Sequence, residues 1–337
     1  MSPVTIVNHR EPPSGDAFLH SAVLPGSDDE LVTALATELR HSAHTCDQIL
    51  LVVSDHARAL LTEPLRDLEC DHQWADPAAF YQRLGFAYEG FRRFLAEQAT
   101  QGRRVHVVAE PELTGDSASD PRPGRYDAYL AYEAVCNDTY APYGSPVTCI
   151  WDSRRHPAHL LDGVRATHRH LLTPSGRQPS PRFQPADAFL TGAHHLPMPP
   201  APQHTDHDRT VTGVAELSGL RATLSAWAHE HRFAAEPADD LLVAVVEVVS
   251  NGLRHAVTPV RIRAWHQHDT LIVQCDDTAG LPVPATAGYH RPGATDAAPG
   301  GRGLWLVRQL ADVVLVDSVP GRTSVRLHFP HAVMHRA

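Results

Sequence analysis

The sequence predicts two domains of different class: an N-terminal α/β domain with a mainly parallel sheet, and a C-terminal α+β sandwich. Three observations carry this. Helix-type and strand-type hydrophobic patterns alternate through the first half, as a parallel sheet covered by helices on both faces requires. From about residue 172 to 208 proline becomes dense, in Thr-Pro-Ser-Gly-Arg-Gln-Pro-Ser-Pro and His-His-Leu-Pro-Met-Pro-Pro-Ala-Pro. Proline at that density disfavours helix and sheet interiors and favours an extended linker. Beyond the break, two helices come first and strands follow in adjacent pairs, which places helices on one side of an antiparallel sheet. The expected division is therefore 1–171, a linker over 172–208, and 209–337. A chain of 337 residues gives each domain enough length to bury a core.

In the first domain a helix is expected at about 28–42, opened by Asp28-Asp29-Glu30, acids that suit a first helical turn. Ile49-Leu-Leu-Val-Val53 is a continuous apolar run typical of a strand covered on both faces. An amphipathic stretch from Pro77 to about Ala99 precedes a strand at Val105–Val108. A helix near 125–140, a strand at Val147–Trp151 and a last helix over about 157–171 complete the alternation. In the second domain, helices at about 216–232 and 237–257 precede strands at Val260–Gln267 and Thr270–Cys275. A Gly-, Pro- and Ala-rich loop over 278–300 reads as a mobile lid. A helix at 303–312 then leads to strands Val313–Asp317 and Thr323–Phe329, joined at Pro320-Gly321.

Composition excludes several functions. All 29 basic side chains are Arg, with no lysine in the chain. A Walker A loop, a lysine-dependent protein-kinase site and Schiff-base chemistry all need a Lys amine. Phosphate handling must then use Arg, backbone amides or a metal ion. A net charge of −10 with no Arg-dense block argues against direct nucleic-acid binding. Five cysteines without CxxC spacing, and no signal peptide, lead us to expect a cytoplasmic protein. No apolar run reaches the ~20 residues that cross a bilayer.

The most informative stretch is Glu247-Val-Val-Ser-Asn251-Gly-Leu-Arg-His255. Spacing by four puts the carboxylate, the carboxamide and the imidazole along one helical stripe. Asparagine is a poor mid-helix residue. Its amide oxygen is a neutral hard ligand suited to Mg²⁺, and Glu247 one turn earlier is placed to deprotonate a nucleophile. A solvated polar helix edge is the plainer reading of the row by itself. Two further elements follow in order. A strand ends in Asp276-Asp277 before Thr278-Ala279-Gly280, where a carboxylate can accept from the exocyclic amine of adenine and the glycine lets backbone approach the base. Alternation groups Asp277 with Val273 and Cys275 and favours it; Asp276 stays a candidate. Gly300-Gly301-Arg302-Gly303-Leu304 then runs into an apolar helix whose N-terminus can hold phosphate.

The series Glu-x-x-x-Asn-x-x-x-His, Asp…Gly and Gly-x-Gly-Leu resembles the asparagine box and the two glycine boxes of the GHKL (Bergerat-fold, histidine-kinase-like) ATPases. It is closest to the anti-sigma-factor serine/threonine kinase branch, over about 210–330. The resemblance implies an ATP site in which Asn251 binds Mg²⁺ and Glu247 is general base toward a hydroxyl of an antagonist protein. It places His255 near the phosphates, Asp277 or Asp276 on adenine, Gly280 beside the base, and Gly301, Arg302, Gly303 and Leu304 at the phosphate chain. A sensor histidine kinase shares the fold but presents its phospho-accepting His on a long dimerisation helix; here the Pro-rich segment stands in that place, with His204 and His207 in non-periodic sequence.

In the first domain, the rule that ligands gather beyond the carboxyl ends of parallel strands singles out Ser54-Asp55-His56, Glu110 and Asp152. Phe18-Leu-His20, Glu110-Pro, Tyr132-Glu133…Asn137 and Cys149-Ile-Trp-Asp152…His156-Pro resemble the MEDS (DcmR-type) sensory domain over about 15–172. That resemblance implies an input domain for a small molecule or another signal. His20, Glu110, Cys149 and His156 could ligate a transition metal but lack local ligand spacing, and scattered His and Cys are more often structural. The expected function is a signal-responsive regulator that uses Mg-ATP to phosphorylate a partner, a sigma factor or its antagonist. The alternative is a non-catalytic, ATP-dependent module that sequesters such a partner. No membrane role is expected, and the related kinases commonly form homodimers.

Overall fold

The computed structural model describes residues 18–81, 83–111, 124–192, 198–256, 259–292 and 301–330. The first half runs β1 (His20–Val23), α1 (Asp28–Thr45), β2 (Gln48–Val52), α2 (Asp55–Arg66), β3 (Asp71–Ala75), α3 (Pro77–Phe80), α4 (Leu84–Thr100) and β4 (Val105–Ala109). It continues through α5 (Arg125–Thr139), β5 (Val147–Ile150), α6 (Ala158–Thr167), β6 (His170–Thr173), β7 (Gly176–Pro179) and α7 (Ala186–Thr191). The strands form one sheet in the order β3-β2-β4-β5-β1-β6-β7. The pairs from β3 to β6 are parallel, and β7 is antiparallel to β6. Alternation divides the apolar runs between two faces. Leu50, Val52, Val107 and Cys149 pack under α4, α5 and α6, whereas Ile49, Leu51, Val108 and Ile150 pack under α1 and α2. Caps set the helix starts: Ser27 Oγ accepts from Glu30 N at 3.2 Å and Ser54 Oγ from Ala57 N at 3.3 Å.

The second half runs β8 (His207–Val211), α8 (Leu217–Glu230), α9 (Ala235–Asn251), β9 (Val260–Gln267), β10 (Thr270–Asp277), α10 (Gly301–Leu310), β11 (Val313–Val319) and β12 (Arg322–Pro330). Its sheet is antiparallel throughout, in the order β11-β12-β10-β9-β8. Leu271, Val273 and Cys275 on β10 bury one face against Leu224, Val245 and Val307 of the three helices. This is the expected pair of classes, a mainly parallel α/β domain and an α+β sandwich.

Several local expectations give way. The stretch read as a linker is built into the fold over its first twenty residues: β6 and β7 extend the parallel sheet and α7 packs on α5. Prolines are tolerated there because β7 is an edge strand and Pro185 precedes the helix. Further on, the Pro199 carbonyl accepts from Arg326 Nη2 at 2.6 Å, tying the segment to the second sheet. The helix expected over 157–171 stops at Thr167 and passes into β6. The stretch from Pro77 breaks between α3 and α4, where the Tyr81 carbonyl turns to accept from Arg125 Nη2 at 2.6 Å. The helix expected to reach 257 ends at Asn251 and continues as a π-turn over Gly252–Ala256. Strands β1, β3 and β8 and helix α2 were not anticipated; β3 and β8 are half-exposed edges without an apolar run.

The two domains meet through α4 and α5 of the first and α10, β11 and the loop before α10 of the second. Tyr289 and Val313 are buried within the apolar cluster of the first domain. Among the described residues, no helix is long and apolar enough to cross a membrane.

Candidate functional sites

Helix α9 presents Glu247 and Asn251 on its half-buried edge, beside the core row Leu241, Val245, Val248 and Val249. The start of α10 lies directly on them. A Cβ built on Gly303 would stand 2.2 Å from Glu247 Oε1 and 2.9 Å from Asn251 Nδ2. A side chain at this position would have to displace the Glu247 carboxylate and the Asn251 carboxamide. Among the described residues, neither Glu247 nor Asn251 has a side-chain hydrogen bond or ion pair. Gly301 opens α10, Arg302 is exposed, and Leu304 packs toward the core. Gly300, with the rest of 293–300, lies outside the described residues.

The strand-end acids separate clearly. Asp276 lies on the outer face of the sheet, held by Arg263 Nη2 at 2.7 Å, Gln274 Nε2 at 2.7 Å and Ser324 Oγ at 2.5 Å. Burial works against its charge, but the hydrogen bonds from Ser324, Gln274 and Arg263 outweigh it and keep the carboxyl below its ordinary value. Asp277 faces the helices. Its Oδ1 caps the following turn by accepting from Ala279 N at 3.0 Å, and its Oδ2 lies 3.9 Å from the Cβ position of Gly252, one residue beyond Asn251. Gly280 takes φ +59° where the chain crosses the β11–β12 turn; a Cβ there would stand 2.3 Å from Gly321 N. The end of α9, the start of α10 and Asp277 thus converge. His255 is exposed in the π-turn, so the turn takes it off the regular stripe of Glu247 and Asn251. A π-turn of this kind recurs at functional sites, and no residue pattern announced it.

In the first domain the predicted candidates divide into two places. Glu110, Asp152 and His156 are at the carboxyl edge of the sheet. Glu110 accepts from Ser54 N at 2.9 Å, Asp152 pairs with Arg154 at 2.7 Å, and His156 stands edge-on to Trp151. His20, Glu133 and Cys149 instead meet beneath α5 on a buried face of the sheet, 3.1 to 3.9 Å apart. His168, at the end of α6, joins them; its Nε2 is 3.3 Å from Glu133 Oε2. Sequence reading missed His168. The candidate metal set of His20, Glu110, Cys149 and His156 is therefore not assembled, because Glu110 and His156 belong to the other edge. His20, Glu133 and Cys149 also line a narrow, mostly apolar cavity with Tyr81, Tyr129 and Tyr132. Burial pushes the phenol of Tyr132 well up, so it stays a neutral hydrogen-bond donor.

An α/β domain thus packs through α4 and α5 on an α+β domain whose α9 and α10 meet at a bare glycine. The comparisons agree in both halves. Residues 212–329 match the family model of the histidine kinase-like ATPase domain, and residues 19–169 match that of MEDS, the methanogen/methylotroph, DcmR sensory domain. The chain is a MEDS sensory domain followed by a histidine kinase-like, ATP-binding ATPase domain. No curated protein matches it.

Proposed function

We propose that the protein is a signal-responsive protein serine/threonine kinase of the anti-sigma-factor type, acting with Mg-ATP on a sigma factor or its antagonist. The observation that carries this reading is the seating of Gly303 on Glu247 and Asn251. It brings a carboxylate, a carboxamide and a helix N-terminus together with no lysine anywhere in the chain.

The residues present fit ATP. Asn251 offers the hard amide oxygen that Mg²⁺ prefers. The amides at the Gly301–Gly303 helix start suit phosphate, and Asp277 keeps one carboxylate oxygen beside Gly252 for an exocyclic amine. Bound Mg-ATP would supply the transferable phosphoryl group and the charge neutralisation such transfers need. Glu247 acts as the general base, taking the proton of the partner's hydroxyl at its carboxylate. Arg302, exposed at the helix start, adds positive charge at the mouth of the site.

The test uses labelled ATP and partners recovered by co-purification with the full chain. Glu247→Gln should abolish transfer while ATP still binds, and Asn251→Ala should remove the Mg²⁺-dependent part of ATP affinity. Transfer that persists in Glu247→Gln overturns the assignment of the base. A wild-type chain that binds ATP and its partner but transfers nothing identifies the non-catalytic binding module instead.

A further inference from the structure

The buried group His20, Glu133, Cys149 and His168 is arranged as a metal site. Its donor atoms, one per residue, all lie within 4.8 Å of one another. A tetrahedral centre with bonds of about 2.0–2.1 Å to nitrogen and oxygen and about 2.3 Å to sulfur has donor–donor edges of about 3.3–3.6 Å. Four of the six edges are close to that: 3.1 Å from His20 Nε2 to Glu133 Oε2, 3.3 Å from His168 Nε2 to the same oxygen, 3.7 Å from Cys149 Sγ to His20 Nε2, and 3.9 Å from Sγ to Glu133; the two from His168 to His20 and to Cys149 are within 4.8 Å.

The surrounding hydrogen bonds fix which ring nitrogens face inward. Asn137 Nδ2 donates to the carbonyls of Glu133, Ala134 and Thr167, so its Oδ1 is turned to accept from His20 Nδ1 at 3.2 Å. His168 Nδ1 donates to the Val164 carbonyl at 2.8 Å. Both rings therefore carry their proton on Nδ1 when neutral and aim a bare Nε2 lone pair at the same carboxylate. His168 Nε2 is fully buried and forms no hydrogen bond. Two bare nitrogens and one carboxylate so placed can share a proton, as an imidazolium–carboxylate pair, or a metal ion that satisfies all three at once. Histidine ligands are usually oriented by donation from the opposite ring nitrogen in this manner.

We propose that the sensory domain binds one divalent transition-metal ion of the zinc class through His20 Nε2, His168 Nε2, Glu133 and Cys149 Sγ. Two neutral imidazoles, a carboxylate and a thiolate balance a dication, leaving no net charge in the buried site. Binding releases the Cys149 thiol proton to solvent, and a metal–sulfur bond replaces the S–H bond. Three of the ligands line the tyrosine-rich cavity, so the ion forms part of its wall.

The experiment is a Co²⁺ titration of the metal-stripped full chain, followed by absorption, with Zn²⁺ added at the end. The expected result is one Co²⁺ per chain, with tetrahedral visible bands and a near-ultraviolet thiolate-to-cobalt band, all lost as Zn²⁺ displaces it. The near-ultraviolet band should vanish in Cys149→Ser and persist in Cys136→Ser, whose native thiol is directed at the Glu133 carbonyl 3.1 Å away. His168→Gln should weaken Co²⁺ at least tenfold. A folded wild-type chain that takes up no Co²⁺, or binds it without a thiolate band, overturns the proposal whether or not the variants fold. So does a band that survives in Cys149→Ser.

Discussion

Arg125 and Asp312 join the two domains through a buried ion pair. Nε donates to Oδ2 at 2.9 Å, and the side chains are 2 % and 0 % exposed. Arg125 opens α5 of the sensory domain, and Asp312 stands between α10 and β11 of the ATPase domain. Removing one member strands the other charge in the interior, which costs about 3–5 kcal/mol. Arg125→Leu should lower the stability of the full chain by that amount in urea unfolding, and Arg125→Leu with Asp312→Leu should recover much of it. A single variant within about 1 kcal/mol of wild type would show that the pair does not hold the domains together.

A second contact ties the tyrosine-lined cavity of the first domain to α10. Gly85 on α4 lies against the Arg308 carbonyl on α10, where a Cβ would stand 1.9 Å from that oxygen and 2.8 Å from Tyr132 Oη. Tyr132 lines the cavity beside His20 and Glu133, donates its hydroxyl to the same carbonyl at 3.4 Å, and meets Tyr289 edge-on. Arg308 spreads over the Tyr289 ring at 3.8 Å and donates to the Ala287 carbonyl at 3.1 Å. Gly85→Ala must push α10 away from α4, at a cost of about 1–3 kcal/mol. Because the first turn of α10 seats Gly303 on Glu247 and Asn251, the variant should change ATP affinity as well as melting temperature. A lower melting temperature with an unchanged ATP titration would mean that the contact is structural and transmits nothing to the site.

The two adjacent acids make opposite predictions. Asp276 is committed to Arg263, Gln274 and Ser324, so Asp276→Asn should cost about 1–3 kcal/mol of stability and leave ATP affinity unchanged. Asp277 faces the convergence of α9 and α10. Asp277→Asn should weaken ATP at least tenfold, about 1.4 kcal/mol, with stability near wild type. Calorimetric titration beside thermal melts distinguishes them, and the reverse pattern would move the adenine contact to Asp276.

The order of the main elements was legible wherever apolar periodicity was strong. Runs such as Ile49–Val52 and Val105–Ala109 declare buried strands, and Asp28-Asp-Glu marks the start of α1. Edge strands β3 and β8, with Asp71-His-Gln and His207-Asp-Arg, carry no such pattern because solvent reaches them. The proline-rich stretch misled because β7 needs few ladder hydrogen bonds as an edge. In the ATPase domain the spacing of Glu247 and Asn251 on one helix placed them together without tertiary knowledge. In the sensory domain, the end-of-strand rule pointed to the carboxyl edge, whereas His20, Glu133, Cys149 and His168 come from four separate elements and meet on a face. No local spacing can encode that meeting.

His106, in the middle of β4, makes stability depend on pH. It is fully buried, with Nδ1 2.6 Å from Ser42 Oγ and Nε2 2.9 Å from Thr148 Oγ1. Burial, then the Arg177 and Arg104 guanidinium groups, push it down from 6.5 to about 3. Between those values the unfolded chain carries a proton that the folded chain refuses. Unfolding free energy therefore falls by about 1.4 kcal/mol per pH unit below 6.5 on account of this one group, and its contribution is complete above 6.5. His328 on β12 adds a second term of the same sign, since burial and Arg326 push it to about 3. Urea unfolding at pH 7.0, 6.0 and 5.0 should show His106→Gln losing stability less steeply than wild type, by about 1 kcal/mol per unit below pH 6. Parallel profiles for the two proteins would mean that His106 takes up its proton in the folded state, against the burial that its hydroxyl partners enclose.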